Sequence, residues 1–442
     1  MPNSTRPFLE CFYALADLDE AIRSSATKDL VAHLAKGEVD DEDMGAGSVD
    51  LSYAVKRLVR GLCSSRGAAR QGFTLALSEV LRSFSEDESM SPMEVLDLVE
   101  NVRKNQGAGG GKASGQEERD FMFAGLFGCI AVHRSGILVA KTTSEEDRLA
   151  LTVKTIQILL SISKKKKWIR QSCYEVILSI LNDMDLNAGK EGVLSQIVDQ
   201  FTVQNINRSG EGKTVNSAEE KARAEKLSDL DAEQLQLGLG IREWLVKAAK
   251  NDSSLMKKVG AKYQLPKFIY SKKSAVRSGR IQAIVNALQE TAKFSPQIHA
   301  VWDRVLRAIF AEEAAGRSVI REFWVQAVEN PLMRSTHQRR ALAFALFCRL
   351  LPKLSPLQAS HLCSQTVLYS ISVHTSSPDS HLHNSARMMI KTILTVAEKS
   401  MAMRSALVSS ILTNEPFFDQ KCERKGKKKK QRKKCEGVVL FF

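Results

Sequence analysis

Apolar positions along this chain recur at helical spacing. Leu51, Ala54, Val55, Leu58 and Leu62 fall at i, i+3, i+4, i+7 and i+11, one face of a 3.6-residue period. Asp50 stands where an N-cap is needed. A turn at Cys63–Gly67 follows, and Phe73, Leu77, Val80, Leu81 and Phe84 mark a second helix. Two helices joined so tightly pack as an antiparallel hairpin. Ser91-Pro92-Met93-Glu94 reads as the next start, with an N-cap serine, proline at the first helical position and a glutamate closing a capping box. Val95, Leu98, Val99 and Val102 form its stripe.

Further helices are expected at 118–132, 146–163, 167–182, 191–204, 217–226, 229–249, 252–259, 276–293, 297–314, 317–328, 336–352, 356–372, 379–397 and 400–413. The hairpin spacing is that of HEAT or armadillo repeats, with no sequence consensus from repeat to repeat. Such arrays tolerate this, because each hairpin needs only an apolar face to stack on its neighbours. The expected fold is therefore all-α: a HEAT/armadillo-like α-solenoid over residues 1–416, with a disordered basic tail over 417–442. Loops are expected at 37–49 (acidic, glycine-containing), 104–116 (glycine-rich) and 207–216 (polar).

Composition agrees with helix. Proline is scarce at 10 of 442 residues and aromatics make up 6%. The eight cysteines form no CxxC pair and sit singly in apolar runs, as reduced cysteines of the cytosol or nucleus do. Met1–Arg6 lead into no sustained apolar run, so no signal peptide is expected, and no stretch reaches membrane-spanning length. Val438–Phe442 is apolar, fits nothing before it and reads as a fragment end or truncated product.

Net charge is +14, and its placement matters more than its sum. Within 421–434, ten Lys/Arg stand against Glu423, giving +9 and leaving +5 for the rest. Arg424, Lys425, Lys427, Lys428, Lys429, Lys430, Arg432, Lys433 and Lys434 form a run suited to an import receptor's acidic groove or to non-specific nucleic-acid contact. Two smaller clusters lie in the body. Lys56, Arg57, Arg60, Arg66 and Arg70 gather on the first hairpin, and Lys164, Lys165, Lys166, Lys167 and Arg170 gather near residue 165. Two readings stand open for them: solvated helix ends, or a contact patch for phosphates or acidic partners. Aromatics are not interleaved with these cations except Trp168, so the sequence does not support base-stacking readout.

Catalytic constellations are weak. The carboxylate pairs Asp17/Asp19, Asp183/Asp185 and Asp229/Asp231 sit at helix ends or loops without flanking strands, and no DTDS-type or SLYPS-type segment accompanies them. Gly107–Lys112 resembles a phosphate loop faintly, but Gln106 and Ala113 stand where glycine and Ser/Thr are needed. His361, Cys363, His374, His381 and His383 lack the tight ligand spacing of a zinc site. There is no GxSxG elbow. No enzymatic activity, cofactor or metal is expected.

Several blocks resemble the Myb-binding protein 1A family, also called the DNA polymerase V family. They are YAVKRLVRGLCSSRGAARQGFTLALSEVL in the Leu51–Leu81 stretch, EERDFMFAGLFGCIAVHRSGIL at 117–138, KKWIRQSCYEVILSIL at 166–181, IHAVWDRVLRAI at 298–309, FWVQAVENPLMRSTHQRRALAFALFCRLLP at 323–352 and SPDSHLHNSARMMIKTIL at 377–394. Family members are typically longer, with an acidic region and a basic C-terminus. The resemblance implies a nuclear, nucleolar scaffold in ribosomal RNA synthesis or processing and in transcriptional regulation. Its implied partners are ribosome-biogenesis proteins or transcription factors, with pre-rRNA or rDNA on the basic patches and no membrane. The alternatives are a co-regulator of DNA-binding factors on chromatin and, as the family's older name suggests, a DNA polymerase.

Overall fold

The structure is a computed structural model and describes residues 6–36, 51–85, 91–104, 115–140, 142–184, 193, 197, 230–249, 274–294 and 296–414. The expected helices 217–226 and 252–259, nearly all of 191–204, the loops 37–49 and 207–216, most of 104–116, Asp50 and the basic tail lie outside them. Among the described residues every regular element is helical, as the periodicity requires. The chain divides into two compact units: Met1–Gln204 with Gly240–Gln264, and Asn205–Leu239 with Leu265–Phe442.

The first unit contains α1 (Phe8–Ala14), α2 (Glu20–Lys36), α3 (Leu51–Gly61), α4 (Gly67–Ser83), α5 (Pro92–Lys104), α6 (Gly115–Ser135), α7 (Glu145–Lys165) and α8 (Lys167–Asp183). Successive pairs pack as hairpins, α1 on α2, α3 on α4, α5 on α6 and α7 on α8. The even helices also pack one on the next, as do α3, α5 and α7, so the hairpins stack in two layers. A middle even helix must then be apolar on a broad face. Accordingly α4 buries Ala69, Phe73, Ala76, Leu77, Val80 and Leu81. Small residues set the closest approaches. A Cβ on Gly72 would fall 1.9 Å from the Leu15 carbonyl oxygen, and one on Gly128 would fall 2.7 Å from both Val99 methyls. In the other layer Lys154 of α7 bridges Glu100 at 2.7 Å and Asp97 at 3.2 Å on α5. Helix α5 starts at Pro92, as the Ser91-Pro92 signal indicates, and Ser144 caps α7 by accepting from the Asp147 N–H at 3.1 Å.

The sequence pattern did not indicate α1 and α2. The buried face of α2 carries Arg23 and Thr27 beside Ala26, Leu30 and Leu34. Arg23 donates to the carbonyls of Asp17 and Leu18 at 2.9 and 2.8 Å, so a buried cation satisfies the turn after α1.

Helix α9 (Ala232–Ala249) is divided between the units at Leu239/Gly240. The second unit continues with α10 (Ser274–Glu290), α11 (Val301–Ala314), α12 (Ile320–Phe323) running into a π-helix (Trp324–Met333), α13 (His337–Leu350), α14 (Pro356–Leu362), α15 (Gln365–Thr375), α16 (His383–Glu398) and α17 (Met401–Asn414). Trp302, Phe323, Trp324, Phe344 and Phe347 are fully buried at its centre. Trp302 meets Phe323, and Trp324 meets Phe347, with ring centres 6.4 and 6.2 Å apart.

Besides shifts of up to four residues at helix ends, two elements differ from the sequence reading. The helix expected at 356–372 is two, because Cys363 leaves helical geometry and Ser364 starts a new helix by accepting from the Val367 N–H at 3.4 Å. The helix expected to end at 328 continues to Met333 through Pro331. Proline has no N–H, and its ring clashes with the carbonyl four residues back in an α-helix; the wider π winding admits it.

Candidate nucleic-acid and partner interface

The start of α6 lies against the starts of α4 and α8. Arg70, in the first turns of α4, reaches across to α6. Its guanidinium carbon lies 4.4 Å from the Phe123 ring centre and 5.9 Å from that of Phe127, and its Nη1 lies 3.6 Å from an Asp120 carboxylate oxygen. The same Nη1 donates to the Ser64 carbonyl at 2.5 Å, fixing the α3–α4 turn. Burial lowers the Arg70 pKa, and the Asp120 charge opposes that shift. Arg119, on the exposed side of α6, stands 5.6 Å from the Phe123 ring centre and 5.7 Å from that of Trp168 on α8. The Phe123 and Trp168 rings are 5.2 Å apart. Lys166, between α7 and α8, pairs with Glu118 of α6 at 2.9 Å.

An arginine–aromatic ladder thus runs Arg70–Phe123–Arg119–Trp168 along one edge of the first unit. Lys164, Lys165 and Lys167 are exposed at its far end. Arg170 is half-buried and donates its Nε–H to the Ser163 carbonyl at 3.2 Å, closing the α7–α8 turn. Lys56, Arg60 and Arg66 are exposed on α3 and the turn after it. Arg57 belongs elsewhere. Its guanidinium carbon sits 4.5 Å from the Phe12 ring centre, near Tyr13 and Tyr53, and it donates to the Tyr53 hydroxyl at 2.8 Å. The structure therefore separates Arg57 from the other cations of its cluster and interleaves aromatics with cations, which the linear sequence does not. Arg119 and Phe123 went unnoticed because each finds its partner on a neighbouring helix. The blocks at 117–138 and 166–181 contain them, but nothing linear marks the pairing.

The described carboxylates of the polymerase-type pairs serve local structure. Asp17 accepts from the Asp19 N–H at 2.8 Å, and Asp19 accepts from the Ala21 N–H at 2.8 Å. The Asp231 carboxylate accepts from the Gln234 N–H at 2.8 Å, and the Asp231 N–H donates to the Gln234 side-chain oxygen at 3.1 Å, a capping box at the start of α9. Asp183 faces His133 at 3.4 Å. Asp185, Asp229 and the Gly107–Lys112 loop lie outside the described residues. In the second unit His374 meets the Ser380 hydroxyl at 2.8 Å and His383 meets the His374 carbonyl at 3.1 Å. Among the described residues no group of three or more His, Cys, Asp or Glu is placed to hold a metal, and no helix is long and apolar enough to cross a membrane.

Comparison with known proteins decides the family. The DNA polymerase phi family model matches residues 53–429. The chain belongs to that family. Among its relatives, the rDNA transcriptional regulator pol5 of Schizosaccharomyces pombe is 25% identical over 403 residues, which is 90% of this chain and 37% of the relative. Mouse Myb-binding protein 1A is 31% identical over 180 residues, 41% of this chain and 12% of the relative. The rDNA transcriptional regulator POL5 of Saccharomyces cerevisiae is 26% identical over 223 residues. The chain thus spans little more than a third of the fission-yeast relative and about an eighth of the mouse one. No solved structure matches it significantly. These relatives of the DNA polymerase phi family bear the names of regulators, although the family's own name mentions a polymerase. The whole ladder from Arg70 to Trp168 lies inside the family match.

Proposed function

We propose that the chain is a non-enzymatic scaffold of the nucleus and nucleolus that regulates ribosomal DNA transcription and supports ribosomal RNA synthesis or processing. Its helices would form a HEAT/armadillo-like solenoid over residues 1–416, with the basic residues 424–434 of a tail (417–442) as the targeting signal. The observation that carries this reading is a two-layer stack of hairpins with a cationic edge, in a family whose relatives are named as rDNA regulators. Stacked hairpins offer extended surfaces for large partners rather than a deep pocket for a small substrate. Ribosome-biogenesis proteins, transcription factors, and pre-rRNA or rDNA are the partners proposed. Chromatin immunoprecipitation of the tagged full chain tests it. Enrichment at the rDNA repeat, with nucleolar accumulation lost when residues 424–434 are neutralised, is expected. Uniform chromatin signal would overturn it.

A second reading, a co-regulator recruited by a DNA-binding factor, draws on the name Myb-binding protein 1A of the mouse relative. Enrichment at factor-bound promoters instead of the rDNA repeat would select it. A polymerase would require primer extension by the purified chain that disappears on changing one aspartate pair.

A further inference from the structure

We propose that Trp168, with Arg119 beside it and Lys164, Lys165 and Lys167 around it, is a stacking platform for single-stranded nucleic acid. The chain has four tryptophans. Trp244, Trp302 and Trp324 are buried, whereas Trp168 is 47% exposed. Leaving that much indole in water is unfavourable unless something covers it. Phe123 and Arg119 hold the ring from one side, at 5.2 and 5.7 Å, so its orientation is set before any ligand arrives. The nearby acids Glu118 and Asp120 are engaged by Lys166 and Arg70. Lys164 and Lys165 make no ion pair with a described residue, which leaves their charge available to phosphates.

The surroundings decide between a protein and a nucleic acid. The centre of a protein interface is depleted of lysine and rich in further apolar side chains. Trp168 directly follows the run Lys164–Lys167, and the other large exposed apolar side chains of this unit, such as Tyr13, Leu18 and Val139, belong to other helices or turns. An oriented aromatic face beside exposed lysines matches the requirements of a single strand: a base to stack and phosphates to neutralise. Paired bases in a duplex offer no free face, so the site selects unpaired segments. Stacking accepts every base, and the platform is therefore sequence-tolerant.

This inference takes its biological setting from the proposed function, but its test uses the purified full chain and is independent of rDNA occupancy. Intrinsic tryptophan emission is recorded during titration with a 15-residue oligothymidylate, a duplex of the same length and poly-L-glutamate. The oligothymidylate should quench the exposed fraction of emission, because the three buried indoles are out of reach. The quench should vanish in Trp168→Phe. In a full-length variant with the basic residues of 424–434 changed to glutamine, Trp168→Ala should weaken oligothymidylate binding about tenfold and Trp168→Phe less than about threefold. Unchanged melting temperatures would show that both variants fold. Binding without a change in Trp168 emission overturns the proposal. So does an equal response to the duplex, which would mean charge alone, or to polyglutamate, which would mean an acidic protein surface.

Discussion

Arg70 and Phe123 stand face to face across two helices that are not consecutive, the guanidinium carbon 4.4 Å from the ring centre. The pair joins α4 to α6, successive members of one layer, at the edge where the cations gather. Arg70→Ala removes this contact, the hydrogen bond to the Ser64 carbonyl and the partner of Asp120. A loss of about 2 kcal/mol is expected. Arg70→Lys should recover less than half, since an ammonium answers Asp120 without covering the ring. Urea denaturation followed through intrinsic tryptophan emission measures both. An unchanged midpoint for Arg70→Ala would show that the contact is incidental.

Gly72 is a second joint. Alanine there would place its Cβ 1.9 Å from the Leu15 carbonyl oxygen and 2.9 Å from the Arg23 side chain. The backbone oxygen has no rotamer to move, so α4 must shift. A cost of about 2–3 kcal/mol is expected. Gly67→Ala is the control: nothing lies within 4 Å of its Cβ, and it should be neutral or slightly stabilising. Thermal melts of the two variants that coincide would remove the steric argument.

Much of this architecture was legible because helical periodicity is a local signal. Leu51 to Leu62 and Phe73 to Leu81 announced α3 and α4, and both form. Helix α2 was hidden because Arg23 occupies its buried face, and only the carbonyls of the preceding turn explain the arginine. The break at Cys363–Ser364 was hidden for the opposite reason: Ala359, Leu362, Val367 and Ile371 keep an apolar rhythm while a serine cap interrupts the backbone. At the candidate site Lys164–Lys167 and Trp168 could be read directly. The stacking of Arg119 on Trp168 could not, since 49 residues of chain separate them and only the packing of α6 on α8 brings them together.

The cysteines give a chemical test of burial. The Cys173 and Cys363 thiols are buried without a charge partner to favour the thiolate, and burial pushes each up to about 12. Cys11 and Cys63 are raised to about 11, again chiefly by burial. The thiolate is the reactive form, so all four should resist iodoacetamide at neutral pH in the folded protein and react fully in denaturant. Peptide mapping of the alkylated protein reads each site. Rapid native labelling of Cys173 or Cys363 would mean that α8, or the break between α14 and α15, opens readily.

His299 ties the second unit's stability to pH. Its Nδ1 accepts from the Val301 N–H at 3.1 Å, so the ring is neutral with its proton on Nε2, which lies 3.8 Å from a Glu233 carboxylate oxygen. Burial, helped by the Lys293 charge and opposed by Asp231, pushes its pKa down to about 4 from the usual 6.5. Between these values the unfolded chain binds a proton that the folded chain refuses. The stabilisation is therefore complete above pH 6.5 and is lost as pH falls towards 4, about 3 kcal/mol in all. Carboxylates titrate over part of the same range, so the measurement is a difference. Urea unfolding of the native chain and of His299→Asn is followed from pH 7 to pH 4. Asparagine keeps an acceptor two residues before Val301 but carries no titrating ring. The native curve should fall more steeply with acid, and the gap between the two should close as pH drops. Parallel curves would mean that His299 is protonated as easily in the folded chain as in the unfolded one.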